Sequence, residues 1–140
     1  MKRIMVRAGT ARKAFFGLLI ASILLLYCSS LYAQELTASY YDVASLKRDG
    51  QWSITKGRCA DGSIFRDDKL TGAYNGYPLG IWVRVVSCEN GRSVIVKITD
   101  RTAKRFTGKR IDLSLAAMYR LDGIRKGVIP VVVELIKDGR

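Results

Sequence analysis

The chain has 140 residues, with 24 Lys and Arg against 12 Asp and Glu, and no histidine. That length suits one ordinary domain rather than two. Without histidine there can be no Ser-His-Asp triad, Cys-His nucleophile pair or HExxH zinc site. Any chemistry must run on carboxylates, lysines, tyrosines or hydroxyls, and no cofactor or metal is expected.

The first 33 residues read as an export signal. Lys2, Arg3, Arg7, Arg12 and Lys13 make a positive start without an acidic residue, and an apolar run follows from Ala14 to about Tyr27. Small and polar residues lead to Leu31-Tyr32-Ala33, which places cleavage before Gln34. The run is short for a membrane span, which needs roughly 20 residues. Cys28 follows Tyr27, where a lipidation signal would place a small residue, so lipoprotein anchoring at Cys28 is not expected. The expected domain is 34–140. Without the five basic residues of the signal it keeps 19 basic residues against 12 acidic, a balance suited to anionic partners outside the cytoplasm. Nucleic acid would suit the charge too, but export opposes it and no zinc-finger, RRM or KH motif is present.

Along the domain, Thr37–Tyr41 is β-prone. Asp42–Lys56 is polar with a turn at Asp49-Gly50, and Asp61-Gly62 marks a second turn. Gly72–Gly80, rich in Gly, Tyr and Asn, reads as a loop. Ile81–Val86 and Ser93–Thr99 are rich in β-branched residues and flank Glu89-Asn90-Gly91-Arg92, the signature of a hairpin with a type I′ turn. Val94, Val96 and Ile98 share one strand face and are expected in the core. At Ile111–Leu121 the period becomes helical, with Ser114 or Asp112 as cap, and Asp122-Gly123 ends the segment. Val128–Ile136 is a last strand, with Pro130 suggesting an edge or an irregular start. The sum is a mostly β domain, five or six strands and a short helix, as in a small barrel. Cys59 and Cys88 form an even pair that a disulfide could join in an oxidising compartment, at a gain of about 3–4 kcal/mol; two free thiols are the alternative.

Five stretches in order carry a resemblance: ASYYD at Ala38–Asp42, ADGSIF through LTGAYNGYPLG at Ala60–Gly80, VRVVSCENGRSVIVKITDR at Val83–Arg101, GKRIDLSLAA at Gly108–Ala117 and GVIPVVVEL at Gly127–Leu135. Together they resemble the rare lipoprotein A family, whose domain is a six-stranded double-psi β-barrel with one or two short helices, distantly related to expansins and barwin-like domains. The resemblance implies lytic transglycosylase chemistry on the glycan strands of peptidoglycan. It also implies envelope or division proteins as possible partners and an envelope location, in periplasm or outside the cell. The domain is expected to be a monomer.

In such a reaction the sugar's own 6-hydroxyl attacks, so one carboxyl can serve first as acid and then as base, provided that it stays protonated near neutral pH. Asp100, after the strand Ser93–Thr99, matches the family's Asp of the Asp-Arg pair and is the candidate. Two family positions are substituted: Ser63 stands where a Glu is usual and Tyr74 where many members have His. Arg101, Lys104, Arg105, Lys109 and Arg110 crowd the following loop. Cations within ~4–6 Å depress a carboxyl pKa, so they are expected to hold Asp100 ionised unless burial separates them. Arg101, Lys104 and Arg105 are candidate contacts for anionic polymer. Tyr41 and Tyr77, with Tyr40, Trp52 and Tyr74, are candidate faces for sugar rings, whereas Trp82 is expected in the core. Asp112 matches the Asp of the family's Ile-Asp-Leu-Ser and reads as structural.

Three readings follow. One is a transglycosylase of reduced acid-base makeup. Another is a non-catalytic, expansin-like glycan-binding or wall-loosening module. The third is a protein-binding inhibitor or effector, which predicts an exposed apolar patch.

Overall fold

The computed structural model describes residues 34–136; the export signal expected at residues 1–33 lies outside the described residues. In chain order the elements are β1 (Gln34–Tyr41), α1 (Val43–Arg48), α2 (Gln51–Thr55), β2 (Thr71–Ala73), β3 (Trp82–Ser87), β4 (Ser93–Asp100), a 3-10 turn (Lys104–Phe106), β5 (Arg110–Ser114), α3 (Leu115–Arg120) and β6 (Val128–Leu135). The six strands close into a barrel in the order β1-β5-β2-β4-β3-β6. Two neighbouring pairs are parallel, β1 with β5 and β2 with β4, and the others are antiparallel. This is the double-psi β-barrel implied by the resemblance, with three short α-helices.

Alternation along the strands builds the core. Val83 and Val85 of β3, Val94, Val96 and Ile98 of β4, and Ile129, Val131 and Val133 of β6 point inward and are buried. Each such side chain contributes about 1.5–3 kcal/mol of burial free energy. Met118 and Leu121 at the end of α3 plug the barrel and are fully buried.

Several elements differ from the sequence reading. The β3–β4 connection is a five-residue loop, 88–92, closed by Ser87 N–H to the Arg92 carbonyl at 2.8 Å. Of Asn90 and Gly91 only Gly91 has positive φ (71°), so the turn is not type I′. Asn90 acts instead through its amide, accepting from Arg92 N–H and donating to the Leu121 carbonyl. Residues 110–114 are strand rather than helix, since β5 must pair with β1 and β2 to close the barrel; the helix is confined to 115–120. Polar 42–56 folds as two helices, the first opened by a capping box between Asp42 and Ser45. β6 is not an edge: it pairs on both sides, and the Pro130 carbonyl accepts Cys88 N–H at 3.0 Å.

Cys59 and Cys88 are both free. Cys59 sits by Thr99 at the end of β4, while Cys88 precedes the strand's start. At about 3.3 Å per residue the length of β4 holds them about 20 Å apart, far beyond the ~7 Å between Cα atoms that a disulfide tolerates.

Ser114 joins three elements. Its buried hydroxyl donates to the Lys69 carbonyl at 2.5 Å and accepts from Thr71 N–H and Ala117 N–H, the last capping α3. Ser114→Ala is expected to cost about 1–3 kcal/mol, read as a lower urea midpoint with an unchanged m-value.

Candidate functional site

A cleft of about 220 Å³ opens where the C-terminal ends of β1 and β4 meet α1 and α2. Asp100, the last residue of β4, is half-buried in it. Ser39 and Tyr41 of β1 form one wall, and Arg110 and Asp112 of β5 another. The parallel pairing of β1 with β5 sets Ser39 opposite Asp112, and the Ser39 hydroxyl donates to the Asp112 carboxylate. Arg110 reaches both, at 2.6 Å from Asp112 and 2.5 Å from Ser39. Asp112 is thus held in a structural ion pair and does not cap α3, which Ser114 does.

One oxygen of Asp100 accepts from Ala60 N–H at 3.1 Å and from Arg101 N–H at 2.8 Å. Beside it, Asp61 N–H bonds the Thr99 carbonyl at 3.0 Å, so residues 60–63 lie against the end of β4. Burial pushes the Asp100 carboxyl above the ordinary carboxylate range. The two N–H donors and the Arg101 charge pull the other way, and the nearby Asp61 charge adds to the rise. The basic loop therefore does not bring the Asp100 carboxyl below its ordinary range, since burial outweighs the Arg101 charge. The Arg101 guanidinium turns away and donates to the Tyr74 and Tyr77 carbonyls, both at 2.6 Å. Arg105 and Arg110 lie over the Phe106 ring, each at 4.7 Å. A half-buried carboxyl with raised pKa can donate a proton and take one back.

The other candidates divide. Tyr41 lines the cleft, stacks on Phe65 at 4.5 Å between ring centroids, and buries a hydroxyl that finds no hydrogen-bond partner among the described residues. Burial, with the charges of Asp100 and Asp112, holds its phenol protonated. Tyr74 is 2 % exposed and belongs to the core. Its ring meets Tyr77 edge-on at 5.6 Å, and Gly76 crosses so close that a Cβ there would collide with it. It does not present its ring to solvent. Ser63 is exposed and donates to the Asp61 carboxylate at 2.5 Å. Lys104 and Arg105 form the exposed 3-10 turn beyond Asp100.

Sequence reasoning passed over Asp61, which it took for half of an Asp-Gly turn. Asp61 is the carboxylate beside the substituted Ser63, and its pKa is lowered by its bonds to Ser63 although desolvation opposes this. It also misplaced Trp82, which is not in the core: it is 39 % exposed on the outer face of β3. With Phe65 and Leu70 it lines a second, mainly apolar cavity of about 580 Å³. Among the described residues no three Cys, Asp or Glu side chains gather as a metal site.

The family model described as "Lytic transglycolase" matches residues 33–133. A probable endolytic peptidoglycan transglycosylase RlpA of Nostoc sp. is 39% identical over 106 residues, which cover 74% of this chain and 28% of that protein. The endolytic peptidoglycan transglycosylase RlpA of Haemophilus influenzae is 35% identical over 75% of this chain and 33% of its own length. The chain thus spans about a third of the curated relatives it matches. Among solved structures, a papain inhibitor of Streptomyces superposes with TM-score 0.54 at 22% identity, over 74% of this chain and 96% of its own. An expansin of Clavibacter michiganensis, a mutant in complex with cellohexaose, superposes with TM-score 0.56 at 18% identity, over 77% of this chain and 52% of its own. At these identities both show the fold alone.

A carboxyl whose folded pKa is raised destabilises the fold once ionised. That cost is absent below the unfolded pKa and grows as pH rises toward the folded one. Asp100→Asn is therefore expected to match the parent's Tm at about pH 3 and exceed it at about pH 7, measured by thermal melts across that range.

Proposed function

The chain belongs to the lytic transglycolase family of double-psi barrels, and on that premise we propose that it is an exported envelope protein that cleaves the glycan strands of peptidoglycan, with Asp100 as acid and then base. The observation that carries this reading is the state of Asp100: a half-buried carboxyl at a strand end, in a cleft, with its protonated form favoured by burial and with the Arg101 guanidinium engaged elsewhere. The protonated carboxyl delivers its proton to the glycosidic oxygen. The resulting carboxylate, held by Ala60 N–H and Arg101 N–H, then takes the proton of the 6-hydroxyl as that oxygen closes onto the anomeric carbon. The product ends in a 1,6-anhydro sugar and no water is consumed.

Tyr41, shielded and protonated, walls the cleft beside Asp100 and helps to exclude water from it. Lys104 and Arg105 give the cleft a cationic exit suited to an anionic polymer, and Tyr77, held by its carbonyl bond to Arg101, offers a partly exposed ring. Residues 1–33 supply the export signal under this reading, and N-terminal sequencing of the exported protein should begin at Gln34.

A second reading is favoured by the substitutions. Ser63 cannot exchange a proton at neutral pH and Tyr74 is buried, so neither adds an acid-base group to Asp100. A module with this makeup binds glycan and loosens it without cutting. Digestion of purified sacculi by the exported protein, with products read by mass spectrometry, separates the two. Anhydro-ended products from the parent, lost in Asp100→Asn by more than about 100-fold as expected for a missing general acid, support cleavage. No soluble product from either, with both pelleting with sacculi, leaves the binding module. Lys104→Glu with Arg105→Glu is expected to weaken pelleting and flatten its salt dependence.

A further inference from the structure

The Tyr41 hydroxyl has no task in the mechanism above. Tyr41 ends β1, its ring lies on Phe65, and its oxygen is shut off from solvent without a hydrogen-bond partner among the described residues. A buried donor left unpaired costs stability, and such groups are few in a folded protein. A phenylalanine at 41 would keep the stack on Phe65 and avoid that cost. The ring's part as a wall of the cleft therefore does not account for the hydroxyl.

The acceptors within its reach narrow to one. Three groups act on the phenol through their charge, Asp100 most strongly, then Cys59 and Asp112. Asp112 is already engaged: the Ser39 hydroxyl and the Arg110 guanidinium both donate to its Oδ1. Cys59 offers a thiol, which burial keeps protonated, and thiol sulfur is a weak acceptor. At Asp100 both N–H donors, from Ala60 and from Arg101, fall on Oδ1. Its Oδ2 accepts no hydrogen bond among the described residues. The other charges around this carboxyl are Asp61 from the 59–65 loop and Arg101 from its own strand end. Asp49, paired with Arg48 at 3.6 Å, closes the far side of the cleft.

We propose that Tyr41 is a positioning residue for Asp100: its hydroxyl stays unpartnered while Asp100 holds its proton, and donates to Oδ2 once that proton has passed to the glycosidic oxygen. The inference rests on the reading of Asp100 as acid and then base. The two N–H groups on Oδ1 and the phenol on Oδ2 then hold both oxygens of the carboxylate. Such a contact strengthens only as charge develops, which is where it aids the reaction. Burial and the neighbouring carboxylate keep the phenol itself protonated. Tyr41 therefore transfers no proton and touches no sugar.

The test is an NMR titration of the exported protein carrying isotope-labelled aspartate, the Asp100 carboxyl signal being the one that Asp100→Asn removes. Tyr41→Phe keeps the ring on Phe65 and deletes the donor alone. A donor that serves the carboxylate lowers its pKa, so its loss is expected to raise the Asp100 midpoint by about one pH unit. An unchanged or lower midpoint in Tyr41→Phe overturns the inference, whether or not the protein cuts sacculi. Digestion of sacculi is then followed on the acid side of both midpoints, where Asp100 is protonated in either protein. There Tyr41→Phe should release anhydro-ended products about tenfold more slowly, the rate equivalent of that shift, and pellet with sacculi as the parent does. Release at the parent's rate overturns the inference and leaves the peptidoglycan reading standing. No release by the parent overturns the cleavage reading, and the role of Tyr41 in that step with it.

Discussion

Two hydrogen bonds, Ala60 N–H to the Asp100 carboxylate and Asp61 N–H to the Thr99 carbonyl, fasten the 59–65 loop onto the end of β4, and the apolar cavity and the surroundings of Asp100 depend on that seam. At Asp100 desolvation outweighs two N–H donors, one of them from this loop, and a neighbouring cation. It sets Phe65 against Tyr41, which makes the partition between the two cavities. It also brings the Asp61 charge close enough to oppose ionisation of Asp100. A barrel closed by parallel pairing of β2 with β4 and β1 with β5 presents strand ends together on one side, and the loop adds an N–H donor and the Asp61 charge to the carboxyl at one of them.

What the sequence made legible follows from period and turn chemistry. Alternation in Ser93–Thr99 identified Val94, Val96 and Ile98 as core residues, and all three are buried. The exposed outer positions of the same strands carried no such signal. Trp82 looks like core by residue type, yet its place in β3 alternates with buried Val83 and puts it outside. Tyr74 failed the other way. It was read as a groove residue because it sits among Gly and Asn, but the glycine two residues on is there to let the chain fold back over its ring. The short helices at 43–48 and 51–55 lack an apolar face long enough to register a period. The helical pattern at 111–114 was real as hydrophobicity but was overridden by the demand of barrel closure for a strand between β1 and β2.

The basic loop shows why charge read along a chain misleads about a site. Five cations within eleven residues of Asp100 suggested an ionised carboxylate. In three dimensions Arg101 spends its guanidinium on two carbonyls, Arg110 on Asp112 and Ser39, and Arg105 on a ring face. Each is oriented by a partner that sequence spacing does not reveal, and of these three Arg101 is the one that lowers the Asp100 pKa by its charge.

The substitutions at Ser63 and Tyr74 gain a physical sense once Asp61 is included. Burial opposes it, but hydrogen bonds from Ser63 lower the pKa of Asp61, a carboxylate whose charge reaches Asp100. Two like charges at close range discourage each other's ionisation, and with Asp61 already stabilised by Ser63 the burden falls on Asp100. A Glu at 63 would have to be kept protonated or solvated on its own. A Ser there hydrogen-bonds the neighbouring turn aspartate, whose charge is one of the influences that raise the Asp100 pKa. The two carboxyls are thus shifted in opposite directions, Asp61 down and Asp100 up, in a chain that has no histidine.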